Sequence, residues 1–409
     1  MAGQEARSGA DGIRQIDAEQ LRVGMYVHKL DCGWMQHPFA TNSFAIKSAD
    51  TIAKIRANQI RIIHIDLNRG LDVEVQTEAR AQVLEIAGAL NNGDTAAPKG
   101  ARVSADEENA KAKGIYSAAS NVVKNIMNDI RVGKQVDLGA AQTVAESIVG
   151  SLERNAHALT GVSRIKTKDE YTFMHSVSVA ALMSSFAMHL GFSADDVAEI
   201  TAGALLHDIG KILTPDQILN KPASLSDEEF KVMREHVSYS GAILEKTPGV
   251  SAIALQAVVM HHERMDGKGY PRKLKGDEIT RIGRMSAIID VYDALTSVRV
   301  YKSAWEPTHT LKKMMEWCPD QYDPELMQSF VRFLGIYPLG SLVELESGLV
   351  GIVTEQGRDL LRPKLRIIYN GKKRRYTKID NIDLDRRKED RIVGAIAPDK
   401  YQINIRDFI

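Results

Sequence analysis

The stretch HHERMDGKGYP, residues 261–271, decides how this chain is read. Two histidines stand side by side, a glutamate follows, and two glycines and a proline punctuate the exit. A helix rarely ends on His-His for packing reasons, because each imidazole brings two ring nitrogens that burial would leave to be satisfied. The pair therefore asks for a partner, and the Gly-Tyr-Pro turn close behind it asks for a surface to lie against.

The pattern around this block is helical. SADDVAEITAGALLHDIGK opens on Ser193 as a predicted N-cap, with Asp196 at the capping-box position and Gly210 as a stop signal. SDEEFKVMREHVSYSGAILEKTPG repeats the grammar, with Ser226 as cap, Glu229 three residues on, and Pro248-Gly249 as the end. Thr172 to Gly191 places His175, Val179, Leu182 and Phe186 on one face. From about residue 104 to 335 nearly everything follows the helical period. Outside this region the period changes to two. QLRVGMYVHKL and IRIIHID predict strands near 23–30 and 60–66, with a helix in SADTIAKIRANQ opened by Ser48. GSLVELESGLVGIVT and LRIIYNGKKRRYTKI predict hairpins turning at Ser347-Gly348 and Asn370-Gly371.

The expected organisation is multidomain. It comprises a disordered start (1–13), a small α/β N-terminal domain (14–90), a linker rich in Gly, Ala, Pro and charge (91–114), an all-α core (115–336), and a short β-hairpin module (337–409). Lys+Arg and Asp+Glu are each 53, so the chain is neutral, which argues against duplex nucleic acid as a partner while leaving room for a small anion. The two cysteines, Cys32 and Cys318, make no disulfide framework and suit a reducing compartment. No run of apolar residues is long enough for a membrane span, and the first residues lack a hydrophobic signal core; the expected location is the cytoplasm.

Chemistry concentrates in the helical core. His207, His236, His261 and His262 fall within 56 residues, His175 lies upstream, Asp208 follows His207 at once, and Asp290 interrupts the apolar run MSAIIDVYDAL. Taken singly, each has a bland reading: a core histidine with its hydrogen bonds met, an acid paired with a nearby arginine, or a charge at a helix end. Taken together, five imidazoles and two carboxylates would leave many buried polar atoms to satisfy, and metal ions satisfy them at once. Adjacent residues on a helix point about 100° apart, so the doublets His207-Asp208 and His261-His262 favour two centres, or a ligand and a bridge. Imidazole with carboxylate and no thiolate suits iron, manganese, zinc or nickel. Two metals about 3.5–4 Å apart are the usual device for in-line phosphoryl displacement, since they bring the pKa of a bridging water towards about 7.

LLHDIGK, HHERMDGKGYP and DVYDALTSVRVYK resemble the signature of the HD-GYP domain, a branch of the HD phosphohydrolase superfamily, over about 160–335. The resemblance implies an HD-type helical bundle that hydrolyses cyclic di-GMP to the linear dinucleotide pGpG, and often to GMP, through a metal-bridging hydroxide. It implies two divalent transition metals per chain, held by His175, His207, Asp208, His236, His261, His262 and Asp290, with Asp208 bridging. Lys211 matches the family's lysine after the HD pair and would stabilise the attacked phosphate or protonate the leaving 3′-oxygen. Arg299 and Lys302 match the positions that hold the ligand's phosphates. Gly269, Tyr270 and Pro271 would bring backbone close to the ligand and present the tyrosine to it. Some relatives hold a third metal with a glutamate four residues before the first ligand histidine. That position is Tyr171 here, Glu170 lies five residues before His175, and Thr172 is a candidate N-cap, so two metals are expected. RVGMYVHKLDCGWMQHPF and the later strand resemble a small domain of unassigned function often found ahead of such cores.

Two other functions compete with a cyclic di-GMP phosphodiesterase. One is a non-catalytic receptor or protein scaffold acting through GYP; the intact set of seven expected ligands argues for the enzyme. The other is a phosphodiesterase for another cyclic dinucleotide, such as cyclic GMP-AMP. Expected partners are cyclic di-GMP and, beyond it, a second copy of the chain or signalling proteins on the GYP surface.

Overall fold

The change of hydrophobic period along the chain becomes a change of architecture in a computed structural model, which describes residues 13–18, 21, 23–30, 43–58, 60, 62–70, 105–155, 171–297, 304–397 and 400–408. The chain divides into two compact units, residues 1–84 and 85–409.

In the first unit, strands β1 (Ile13–Asp17), β2 (Tyr26–Leu30), β3 (Phe44–Ala45) and β4 (Ile62–Asp66) form an antiparallel sheet in the order β1-β4-β2-β3, and helix α1 (Ala49–Ala57) precedes β4. Alternation sends Ile63 and Ile65 of β4 inward with Val27, Leu30 and Ile55 while Ile62 stays exposed. Strand β1 was not expected. Its register, with Ile16 opposite Ile63, turns part of the chain's opening into a sheet edge.

The first described element of the second unit is α2 (Ala105–Arg131), which takes residues 105–114 from the expected linker; residues 91–104 lie outside the described residues. The physical reason is composition: from Ala105 the chain is rich in Ala, Glu and Lys, which are good helix formers, Pro98 and Gly100 stop short of it, and the helix carries the single Gly114 within it. Ala112, Tyr116, Ala119, Val123 and Ile126 form its buried stripe at helical spacing. Buried Glu108 ties α2 to α3 (Leu138–Arg154), accepting from Arg154 at 2.7 Å and Ser151 at 3.0 Å.

Helix α4 (Tyr171–His189) is buried almost all round from His175 to Ala187 and forms the centre of the bundle. It begins one residue before the expected cap at Thr172. Around it lie α5 (Ala194–Leu206), α7 (Asp227–Glu245), α8 (Ala252–Val259), α9 (Arg281–Thr296), α10 (Pro307–Glu316) and α11 (Pro324–Leu334), with the four-residue α6 (Asp216–Leu219) before α7. Ser193 Oγ accepts from the Asp196 backbone N–H, and the full reciprocal box forms at Ser226 and Glu229. Helix α5 stops at Leu206, earlier than the glycine signal at 210, and the chain tightens into a 3-10 turn over Ile209–Leu213.

Beyond α11 an antiparallel sheet of β5 (Leu342–Leu345), β6 (Leu349–Glu355), β7 (Lys364–Asn370), β8 (Arg375–Asp383) and β9 (Ile392–Ala395) runs in the order β8-β7-β6-β5-β9. Both expected hairpins are present, the second with the four-residue loop 371–374, because Asn370 ends its strand opposite Arg375. Gln356 fastens this sheet to the helical core by donating to Leu334 and Tyr337 carbonyls at 2.8 and 2.9 Å. No helix among the described residues is long and apolar enough to cross a membrane.

Candidate metal centre

Six elements bring the expected ligands together. His175 comes from α4, His207 caps the end of α5, Asp208 opens the 3-10 turn, His236 sits in α7, His261 and His262 follow α8, and Asp290 belongs to α9. All are buried except His262, which is partly exposed. Gly210 makes this convergence possible: a Cβ there would stand 2.1 Å from the His236 carbonyl oxygen and 2.6 Å from Ser240 N. Without one, its N–H donates to Ser240 Oγ at 2.8 Å, and the turn carrying Asp208 lies against the helix carrying His236.

The nitrogens and oxygens form two groups. Ligand atoms of His175, His207 and Asp208 lie within 4.8 Å of one another, and so do those of His236, His261 and His262. Asp208 faces both groups. Its Oδ2 lies 3.2 Å from His207 Nε2 and 3.8 Å from His175 Nε2, while Oδ1 lies 3.2 Å from His236 Nε2 and 3.8 Å from His261 Nε2. Asp290 spans the groups as well. Its Oδ1 is 2.9 Å from His175 Nε2 and 3.6 Å from His207 Nε2, and its Oδ2 is 3.7 Å from His262 Nδ1. The sequence suggested only Asp208 for this bridging position. His261 and His262 fall in one group rather than serving two, with ring centroids 4.2 Å apart. They stand beyond the last residue of α8, where the angular spacing of a regular helix no longer applies.

Three imidazoles are aimed by the same local device. His207, His236 and His261 each donate Nδ1–H to the carbonyl three residues back, Ala204, Met233 and Val258, at 2.8, 2.7 and 2.6 Å. This fixes the tautomer and turns the Nε2 lone pair into the centre. His175 is held differently: its Nδ1 is 2.6 Å from Asp293 Oδ2, and Ser297 Oγ donates to the same oxygen at 3.4 Å. Asp293 was missed in the sequence. The available signal was its place three residues after Asp290, one turn along the same buried helix.

Electrostatics suit cation binding. Burial works against ionisation of Asp208, yet His207 and Lys211 outweigh it and hold the carboxyl well below its usual range. Burial likewise opposes charge on Asp290, and the hydrogen bond with His175 together with the nearby His207 overrides it downward. Burial keeps His261 neutral far below its usual value and brings His262 down to about 3. Burial disfavours a charged His207 too, but Asp208 and Asp290 push it up to about 10, the mark of a nitrogen held among carboxylates. His207 Nε2 and Asp208 Oδ1 are buried with no hydrogen-bond partner. Orphaned ligand atoms, ionised carboxylates and the neutral imidazoles of His261 and His262 together fit divalent metal ions of the imidazole- and carboxylate-preferring kind.

At the rim, Lys211 Nζ pairs with Asp208 Oδ2 at 2.5 Å and its side chain remains 22 % exposed, open to a ligand. The Tyr270 ring leans over His262 with centroids 4.7 Å apart, and burial raises its phenol pKa, so it stays protonated. Gly269 is buried, and a Cβ would stand 2.5 Å from both Glu263 Cα and Arg264 N, so the missing side chain lets the loop lie on the His-His-Glu backbone. Tyr270 N donates to the His262 carbonyl at 3.1 Å, and Pro271 follows through a cis peptide at an exposed position. Glu263 completes this seat from below, accepting from Arg272 N at 2.7 Å and Leu274 N at 3.0 Å. Arg299, Lys302 and Glu170 lie outside the described residues, as does the side chain of Tyr171.

Comparisons with known proteins follow the same layout. A domain of unknown function, DUF3391, matches residues 13–141, and the HD domain matches residues 153–326, which contain all seven expected ligands. A protein named cyclic di-GMP phosphodiesterase from Pseudomonas aeruginosa is 38 % identical over 385 residues, covering 93 % of this chain and 92 % of the relative. A cyclic di-GMP phosphodiesterase of Vibrio cholerae is 34 % identical, covering 50 % of this chain and 40 % of its own length. A 3′3′-cGAMP-specific phosphodiesterase of the same organism is 33 % identical, with 40 % and 32 % covered.

Proposed function

The chain belongs to the HD domain family of metal-dependent phosphodiesterases, and on that premise we propose that it hydrolyses cyclic di-GMP to pGpG and onward to GMP. The observation that carries this reading is the pair of carboxylates, Asp208 and Asp290, each turned towards both groups of histidines. We assign two divalent metals per chain, iron or manganese, to His175, His207, His236, His261 and His262 with these two aspartates. Held there, such metals supply Lewis acidity to a phosphodiester and lower the pKa of water towards neutrality.

The chain's own groups account for binding and positioning. Lys211 places an ammonium at the open side of Asp208, where it meets charge developing on the scissile phosphate or gives its proton to the leaving 3′-oxygen. Tyr270, protonated and leaning on His262, offers a hydrogen-bond donor and an aromatic face at the same mouth. Asp293 keeps the His175 ring in its orientation. A cytoplasmic site of action agrees with a neutral chain of two cysteines acting on a second messenger.

The test is to purify the protein without oxygen, measure metal content, and follow cyclic di-GMP and 3′3′-cyclic GMP-AMP side by side by product chromatography. Cyclic di-GMP should be the preferred substrate, with two metals per chain. A metal-loaded protein that consumes neither, or three filled metal positions, would overturn the corresponding part of the assignment.

A further inference from the structure

Helix α7 carries a cation that the metal centre does not use. Arg234 lies two residues before His236, and four residues before it stands Phe230, on the same helical face. The guanidinium sits 4.4 Å from the Phe230 ring centroid and 5.5 Å from that of Tyr270, whose own ring leans on His262. Phe230 and Tyr270 are roughly perpendicular, at 80° with centroids 6.4 Å apart, and form two walls of a corner that holds the cation. Arg234 is half-buried, its Nε is buried with no hydrogen-bond partner, and no carboxylate among the described residues pairs with it.

A guanidinium in this state is unusual. Its donors form a rigid fork suited to oxyanions, and leaving them unmet in a partly dry corner costs free energy that aromatic faces only partly return. The corner stands at the mouth of a site whose proposed ligand carries two phosphodiesters. One of these must lie at the metal centre beside Lys211 for hydrolysis, which leaves the other to be held elsewhere.

We propose that Arg234 binds the second phosphodiester of the cyclic dinucleotide, the one not being cleaved, and so sets affinity for a dinucleotide over a simple diester. This rests on the phosphodiesterase reading. Phe230 and Tyr270 fix the guanidinium plane, and the fork edge faces the ligand.

The experiment compares wild type, Arg234→Met and Arg234→Lys on cyclic di-GMP and on bis(p-nitrophenyl) phosphate, which has a single phosphodiester. Methionine keeps an apolar stem against the two rings and removes the charge. Arg234→Met should raise KM for cyclic di-GMP about tenfold, the scale of one charged hydrogen bond, with kcat within about threefold. Turnover of the simple diester should match wild type, and Arg234→Lys should recover part of the KM. An unchanged KM for cyclic di-GMP overturns the proposal. An equal loss on both substrates also overturns it, because the residue then acts through the metal centre. A wild-type protein that cleaves the simple diester but not cyclic di-GMP refutes the functional reading itself, and the role of Arg234 with it.

Discussion

Replacing Asp293 with asparagine tests whether the centre depends on a carboxylate outside the seven expected ligands that holds one of them, His175. Asp293 and His175 are 5 % and 3 % exposed, and the contact between them is 2.6 Å. Asparagine preserves the shape and can still accept from Nδ1–H, but the bond changes from charge-assisted to neutral. Bonds to charged groups contribute about 1.5–3 kcal/mol and neutral ones about 1 kcal/mol, so the loss is about 0.5–2 kcal/mol. At about 1.4 kcal/mol per decade, that is a fall of about two- to thirtyfold in affinity for the metal nearest His175, overlapping the range of about 10- to 100-fold seen when outer partners of ligand histidines are removed. The assay is anaerobic manganese titration against a competing chelator, with circular dichroism to confirm the fold. Combining Asp293→Asn with His175→Ala closes the argument, because the two residues should act as one unit and the Asp293 effect should vanish once the imidazole is gone. Unaltered metal affinity in the single variant, or an undiminished effect in the double variant, refutes the reasoning.

Four further outcomes are expected. Asp208→Ala should abolish turnover and empty both metal positions while circular dichroism stays near wild type, since one side chain faces both groups; retained hydrolysis sinks the assignment. Lys211→Ala should bind cyclic di-GMP but lower kcat at least about a hundredfold, and a change in KM alone would make it a binding residue only. Gly269→Ala should displace the Tyr270 loop, because its Cβ would overlap backbone at 2.5 Å; Tyr270 fluorescence quenching and KM should both change while metal content holds. A chain starting near residue 104 retains α2, whose Tyr116 hydroxyl donates to the Met174 carbonyl at 2.7 Å beside His175, and it should still hydrolyse substrate; loss of activity in a folded, metal-loaded form would show that the first unit completes the site.

The convergence of five histidines and two aspartates was legible because metal-ligand chemistry constrains residue type so tightly. Histidines and aspartates inside apolar helices have few other uses, and the His-Asp and His-His-Glu blocks mark where elements end. What the sequence hid were the partners of those residues. Asp293 looks like one more acid on a helix until α4 brings His175 beside it from 118 positions away. Glu263 sits in plain view in the motif, but its task, receiving two backbone N–H groups of the following loop, depends on a chain reversal that periodicity does not encode. Gly269 was read for close approach, and the approach it makes to the Glu263 and Arg264 backbone could not be named without the fold. Strand β1 escaped notice because five residues are too few for alternation to stand out beside a polar start. The first third of helix α2 was assigned to a linker, since Gly and Pro just ahead of Ala105 coloured the residues behind them.

The carbonyls that aim His207, His236 and His261 belong to Ala204, Met233 and Val258, and only their main chain takes part. Three of the five imidazoles thus owe their orientation to atoms that every residue possesses. Substitution at those three positions can change the packing but cannot delete the acceptor. His175 alone among the histidines described by such contacts hangs on a side chain that a single codon change can remove. Adjustment of this centre over evolutionary time, whether toward another metal or toward silence, therefore has an accessible handle at Asp293, while the aim of the other three rings is sheltered from mutational drift.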